Sequence, residues 1–257
     1  MTHQDYLHEL IANASERLTT PLDVKDVHAL RLTCKRLRAA WQLQRIDLPR
    51  KAVKAREENP KTLAKSLEGS RETAVRHAML GWVMPRVESR LRPPLARLRA
   101  SMAAQLDKQP IDADRQALLA AFEYETQQWD AEPLTQKRTR KGLKQTRSKV
   151  QRLAKRSAKS REVAQCHRWR KWVKYLTYQQ EMRAAVEGKP GKDAHDRLKK
   201  LAKRLGRQHD LANLNAWVKE TDKLDDATRQ ALAAVLDRLA EEQLDKALRQ
   251  GRKLGWL

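Results

Sequence analysis

His28, Arg31 and Lys35 stand at positions 0, 3 and 7 of the stretch His28-Ala-Leu-Arg31-Leu-Thr-Cys-Lys35-Arg-Leu37. The same three residue types return at the same spacing 139 residues later, in His167-Arg-Trp-Arg170-Lys-Trp-Val-Lys174-Tyr-Leu176. Arginine offers a planar fork of donors and lysine a compact ammonium, and both suit phosphate oxygens without needing a base-specific partner. A neutral imidazole donates one hydrogen bond and a protonated one donates two. Set among cations, it is suited to take up a proton as an anion binds. The set therefore points to oxyanion binding.

Positions 0, 3 and 7 share one side of a helix, so each trio is a basic stripe, and Arg38 extends the first. An apolar seam runs beside each in the same register. Val27, Leu30, Cys34 and Leu37 match Cys166, Trp169, Val173 and Leu176. A second pair of segments repeats at an offset of 138: Leu67-Glu-Gly-Ser-Arg71-Glu72 aligns with Leu205-Gly-Arg-Gln-His209-Asp210. Duplicated core and charged faces imply two similar halves presenting cations to one ligand. The basic run Arg138, Arg140, Lys141 and Lys144 precedes the second stripe, and part of it, with Arg138 and Lys141 as candidates, is expected to face that ligand. Arg36, Arg45, Lys149 and Lys155 read as ordinary solvated faces.

The elements that carry these residues are helices. Ala, Leu, Arg, Lys and Gln dominate, aromatic residues are 5 %, and no segment alternates with a two-residue period, so no sheet is expected. Breakers place helices over about 2–18, from an Asp23 N-cap to before Pro49, from near Pro60 to about Met84, and after Pro85 with a kink or break at Pro93-Pro94. A connector opens at Pro110-Ile-Asp112 and runs through Trp129. The second half repeats the scheme over roughly 133–157, 160–186, 193–219 and 225–250. The division is then 1–110, a connecting helix 111–132, and 133–257, with four antiparallel helices per half.

Lys and Arg number 55 against 32 acids, a net charge of +23, which calls for a polyanionic partner such as nucleic acid, an anionic surface or a phosphate polymer. Cys34 and Cys166 fall on the seams and read as buried thiols, not as a disulfide or a metal site. No secretory signal or membrane-length apolar run is evident, which sets the expectation of a cytoplasmic protein without membrane partners. His209-Asp210 invites comparison with metal-dependent phosphohydrolases, with His167 or His195 as further ligands. Its repeat partner, however, is Arg71-Glu72, and arginine cannot ligate a metal. Neither a phosphate-cradling Gly-rich loop nor a Ser/His/Asp or Cys/His set is present. No cofactor or metal is expected.

With these motifs the chain resembles the CHAD family, the conserved histidine α-helical domain. The resemblance rests on Val27 to Arg38, on His167 to Leu176 and on Leu205 to Leu211, and it covers essentially the whole chain. It implies an all-α fold of two pseudo-symmetric four-helix bundles around a basic central cavity. It also implies binding of inorganic polyphosphate and association with polyphosphate granules. Carried over by position, the contacts are His28, Arg31, Lys35, Arg38, His167, Arg170, Lys174 and His209, with Arg71 as the repeat equivalent of His209. Two departures stand out: Thr177 replaces an expected Arg, and Glu72 replaces the usual Asp. The expected function is non-enzymatic polyphosphate binding. A nucleic-acid binder is the first alternative, disfavoured by the lack of a reader helix and by Trp41, Trp169 and Trp217 lying at core spacing. A phosphohydrolase using His209 and Asp210 is the second.

Overall fold

A computed structural model describes residues 1–68, 71–106, 113–188 and 192–257, and among these every regular element is helical. α1 spans His3–Arg17, α2 Val24–Trp41, α3 Arg50–Ser66, α4 Arg71–Val83 and α5 Arg92–Leu106; then come α6 Arg115–Ala131, α7 Gln136–Ser160, α8 Val163–Glu187, α9 Lys192–Glu220 and α10 Asp226–Lys253. Short 3-10 turns follow α2 at Gln42–Ile46 and precede α5.

Four helix starts have a side-chain cap as their cause. The Thr2 side chain accepts from Asp5 and Asp23 accepts from Asp26, each in a reciprocal capping box, while Asp114 and Asp225 cap α6 and α10. The expected opening of the connector at Pro110–Asp112 lies outside the described residues, and the helix itself starts after Asp114.

Two proline expectations fail. α3 begins at Arg50 and carries Pro60 inside it. Val53, Glu57, Pro60 and Leu63 step along one buried side, and burial of that side outweighs the one backbone donor that proline removes. Pro93 and Pro94 occupy the first turn of α5, where a missing donor costs little, and they start the helix rather than kink it. α7 also runs past the expected stop at Ser157. The chain turns at Arg161, at φ 55°, where the guanidinium bonds Glu241 and, at 2.7 Å, Asp245 of α10.

The residues cluster into two compact units. One comprises Met1–Glu68, Ile111–Leu153 and Lys171–Lys199; the other comprises Gly69–Pro110, Ala154–Arg170 and Lys200–Leu257. In the first, α2 packs on α3 and α1 on α6, around Leu7, Leu30, Leu37, Phe122 and the stacked pair Trp41–Trp129 with centroids 3.6 Å apart. In the second, α4 packs on α5, and Leu80, Val83, Leu95, Leu211, Leu214, Leu232 and Leu236 form the core.

Candidate functional site

Both seams are buried in the same register except at the first position, where Val27 is half-buried and Cys166 buried. Leu30, Cys34 and Leu37 on α2 and Cys166, Trp169 and Val173 on α8 are each 0 % exposed. Burial pushes the Cys34 thiol up to about 12 and the Cys166 thiol up to about 11, so both remain protonated and unreactive. With the seams fixed, the stripes beside them share an exposed histidine and less exposed cations after it. His28 and His167 are exposed, Arg31 is buried, and Arg170, Lys35 and Lys174 are half-buried.

On α2 the cations differ in what holds them. Arg31 is 7 % exposed; its guanidinium donates to the Ala64 carbonyl and reaches Glu68 at 3.4 Å. Half-buried Arg38 lies 3.9 Å from Glu57, whose carboxylate also accepts from the Tyr175 hydroxyl at 2.7 Å. Burial, together with the Glu57 charge, raises the Tyr175 hydroxyl well above the ordinary phenol value. Lys171 sits beside this group with its ammonium 5.4 Å from the Tyr175 ring. Although Lys171 keeps exposed surface, dehydration of its surroundings and the Arg38 and Lys61 charges lower it, against the opposing pull of Glu57. Lys171 is a cation that the repeat could not reveal, because its counterpart in the first copy is Leu32.

On α8, His167 Nδ1 and His209 Nδ1 are 3.3 Å apart, with ring centroids at 4.6 Å, and Asn213 Nδ2 lies 3.3 Å from His209 Nε2. One hydrogen fits between the two Nδ1 atoms, so one ring donates and the other accepts. The repeat makes these histidines equivalent to different first-half residues, and the sequence brings them together only in the metal-ligand alternative. Arg170 lies alongside Gly206, where a Cβ would come 3.9 Å from its Nε. Lys174 places its ammonium 5.9 Å from the Tyr178 ring. Thr177, at the position equivalent to Arg38, is 4 % exposed and donates to the Val173 carbonyl at 2.8 Å, so this copy buries a small residue where the first carries a cation.

The remaining candidates divide. Arg138 bonds Asp47 at 2.7 Å and the Pro133 carbonyl at 3.0 Å, which ties the start of α7 to the turn after α2. Lys141 and Lys144 are exposed. Arg71 opens α4, but its side chain lies outside the described residues; Glu72 pairs with Arg76 at 2.9 Å. Of the cations expected to be merely solvated, Lys155 is exposed. Arg36 instead pairs with Glu181 at 3.5 Å, and Arg45 and Lys149 lie 5.8 and 5.7 Å from the Trp172 ring. His195 faces Glu181 at 3.8 Å. Among the described residues, no three His, Cys, Asp or Glu side chains are grouped to hold a metal ion. No helix among them is long and apolar enough to cross a membrane.

The arrangement is thus a pair of cation-bearing helical stripes, each running beside a largely buried apolar seam. None of the curated proteins compared with the chain matches it. The family model of the CHAD domain matches residues 3–219, which is most of the chain, and the protein belongs to the CHAD domain family.

Proposed function

We propose that the protein binds inorganic polyphosphate without turning it over, through the stripes His28, Arg31, Lys35 and Arg38 and His167, Arg170 and Lys174, with His209 behind His167. The carrying observation is that in both stripes an exposed histidine is followed by a less exposed Arg and Lys, beside seams whose positions after the first are buried. A long phosphate chain needs donors at intervals along it and no base-specific contact, and two stripes of Lys, Arg and His supply that. Lys171 and the exposed Lys141 add cation density. The net charge of +23 would draw in the polymer and make binding salt-dependent. The reading takes with it the duplicated pair of four-helix bundles around a basic cavity that the family resemblance implies, and a place at polyphosphate granules inside the cell.

The net charge also favours a nucleic-acid reading. Competition at fixed physiological salt separates the two. Long-chain polyphosphate should displace duplex DNA of equal phosphate concentration, and equal or stronger retention of DNA would overturn the proposal. An unchanged chain length after prolonged incubation with the protein is the accompanying check on non-enzymatic binding; phosphate release would contradict it.

A further inference from the structure

α9 carries two further arginines, Arg204 and Arg207, that the repeat does not account for. At about 100° per residue, these two lie on the opposite side of the helix from Gly206, His209 and Asn213. The contacts agree. Gly206 and His209 face Arg170 and His167 of α8, whereas Arg204 bonds Gln243 of α10 at 3.3 Å and Arg207 lies over Trp82. Whatever the His pair contacts, these arginines look elsewhere.

They look into a groove of about 340 Å³, within the second unit, between Trp82, Arg86 and α10. The Arg86 and Arg207 guanidinium carbons lie 3.9 and 4.6 Å from the Trp82 ring centroid. The negative face of an indole attracts a guanidinium, and here one ring holds two. Arg238 and Lys246 also line the groove, and each reaches Glu242, at 2.8 and 3.7 Å. Among the described lining residues, five cations thus meet one carboxylate. Dehydration and the nearby Arg204 and Arg86 charges lower the Arg207 guanidinium from its usual range, against the smaller opposing effect of Asp210. Like charges are gathered here more densely than the local acids offset.

We propose that this groove is a second anion site, for a compact oligophosphate, in which Arg86, Arg204 and Arg207 supply the donor forks and Trp82 is the platform that holds them together. Three guanidinium forks suit several non-bridging oxygens on adjacent phosphorus atoms better than a single monovalent anion. The site extends the phosphate-binding reading above to a ligand short enough to occupy one unit alone.

Trp82 is a built-in reporter. The full-length protein is titrated with sodium tripolyphosphate at constant ionic strength, followed by tryptophan emission and by calorimetry. A saturable change in emission is expected, absent from Trp82→Phe, and sodium sulfate should bind at least tenfold more weakly. Affinity should fall at least tenfold in Arg204→Gln/Arg207→Gln. The exposed single variant Arg86→Gln, which leaves the core untouched, should lose at least threefold even if the double variant does not fold. Lys155→Gln/Lys159→Gln, exposed on α7 and outside both the stripes and the groove, should bind tripolyphosphate as the wild type does. An emission change that survives in Trp82→Phe, or a tripolyphosphate affinity within twofold of wild type in Arg86→Gln, would overturn the site. Failure of long-chain polyphosphate to bind the wild type would instead defeat the proposed function, and the tripolyphosphate titration would still stand or fall separately.

Discussion

Arg31 and Lys35 are four residues apart on one stripe, Arg31 buried and Lys35 half-buried. The Arg31 guanidinium already serves the fold through the Ala64 carbonyl and Glu68. Arg31→Gln should therefore lower stability by about 1–3 kcal/mol, the usual cost of leaving buried partners unsatisfied, as well as weaken ligand binding. Lys35→Gln should also weaken binding; urea unfolding of the two variants separates loss of binding from loss of stability. The histidines also differ. His28 is exposed on α2, whereas His167 shares one hydrogen with His209. The pair can accept one further proton and keep that contact, since a second would set two N–H groups facing each other. Proton uptake on polyphosphate binding, measured by calorimetry in buffers of different ionisation enthalpy, should drop by no more than one proton per molecule in His167→Gln/His209→Gln. A drop of two would contradict the shared-hydrogen geometry. The stripe was legible in sequence because residue types recur at fixed spacing. The His pair was not, because it depends on how α8 and α9 cross, and spacing along one helix carries no information about that.

At the scale of elements, the seams were legible because burial selects apolar residues at helical spacing, and Cys34 and Cys166 sit where the pattern puts them. Pro60 misled, since its local preference loses to the buried side of α3. A polar core was also hidden. Glu125, 0 % exposed, accepts from Trp41 Nε1 at 2.6 Å, Trp129 Nε1 at 3.1 Å and Asn59 Nδ2 at 3.0 Å. Glu125→Ala strands these donors and should cost about 2–5 kcal/mol, read as a lower denaturation midpoint. Burial raises the Glu125 carboxyl above 4.5, outweighing the opposing hydrogen bonds and the Arg56 charge. The folded state therefore holds this proton more tightly than the unfolded chain. Its contribution to stability is fully present below 4.5 and is lost as pH rises through the folded value. Glu125→Gln should remove that slope, which stability measured at a series of pH values checks. Gly142 is the second such point. A Cβ there would come within 2.6 Å of the Leu43 carbonyl oxygen and 2.7 Å of the Leu43 Cα. Gly142→Ala must push α7 from the turn after α2, at about 1–3 kcal/mol, and should lower the melting temperature without changing charge.

For the whole molecule, the net charge of +23 and the two stripes make different demands, and experiment can tell them apart. Net charge attracts any polyanion and fades with salt, whereas a site depends on which cations are present. The repeats follow one another along the chain, while the compact units interleave three segments each. Which segments share a unit depends on which helices pack together, a property that composition and spacing do not encode. The most direct test of polyphosphate binding by the stripes is the dissociation constant of long-chain polyphosphate at fixed physiological salt, measured for four proteins. These are the wild type, Arg31→Gln/Lys35→Gln, Arg170→Gln/Lys174→Gln and the exposed control Lys155→Gln/Lys159→Gln. All three variants lose the same charge. At roughly 1–2 kcal/mol for each lost charge-assisted hydrogen bond, each stripe variant should bind at least about tenfold more weakly, and the control should stay within about twofold of wild type. Equal losses in all three would show that only net charge matters and would contradict the account.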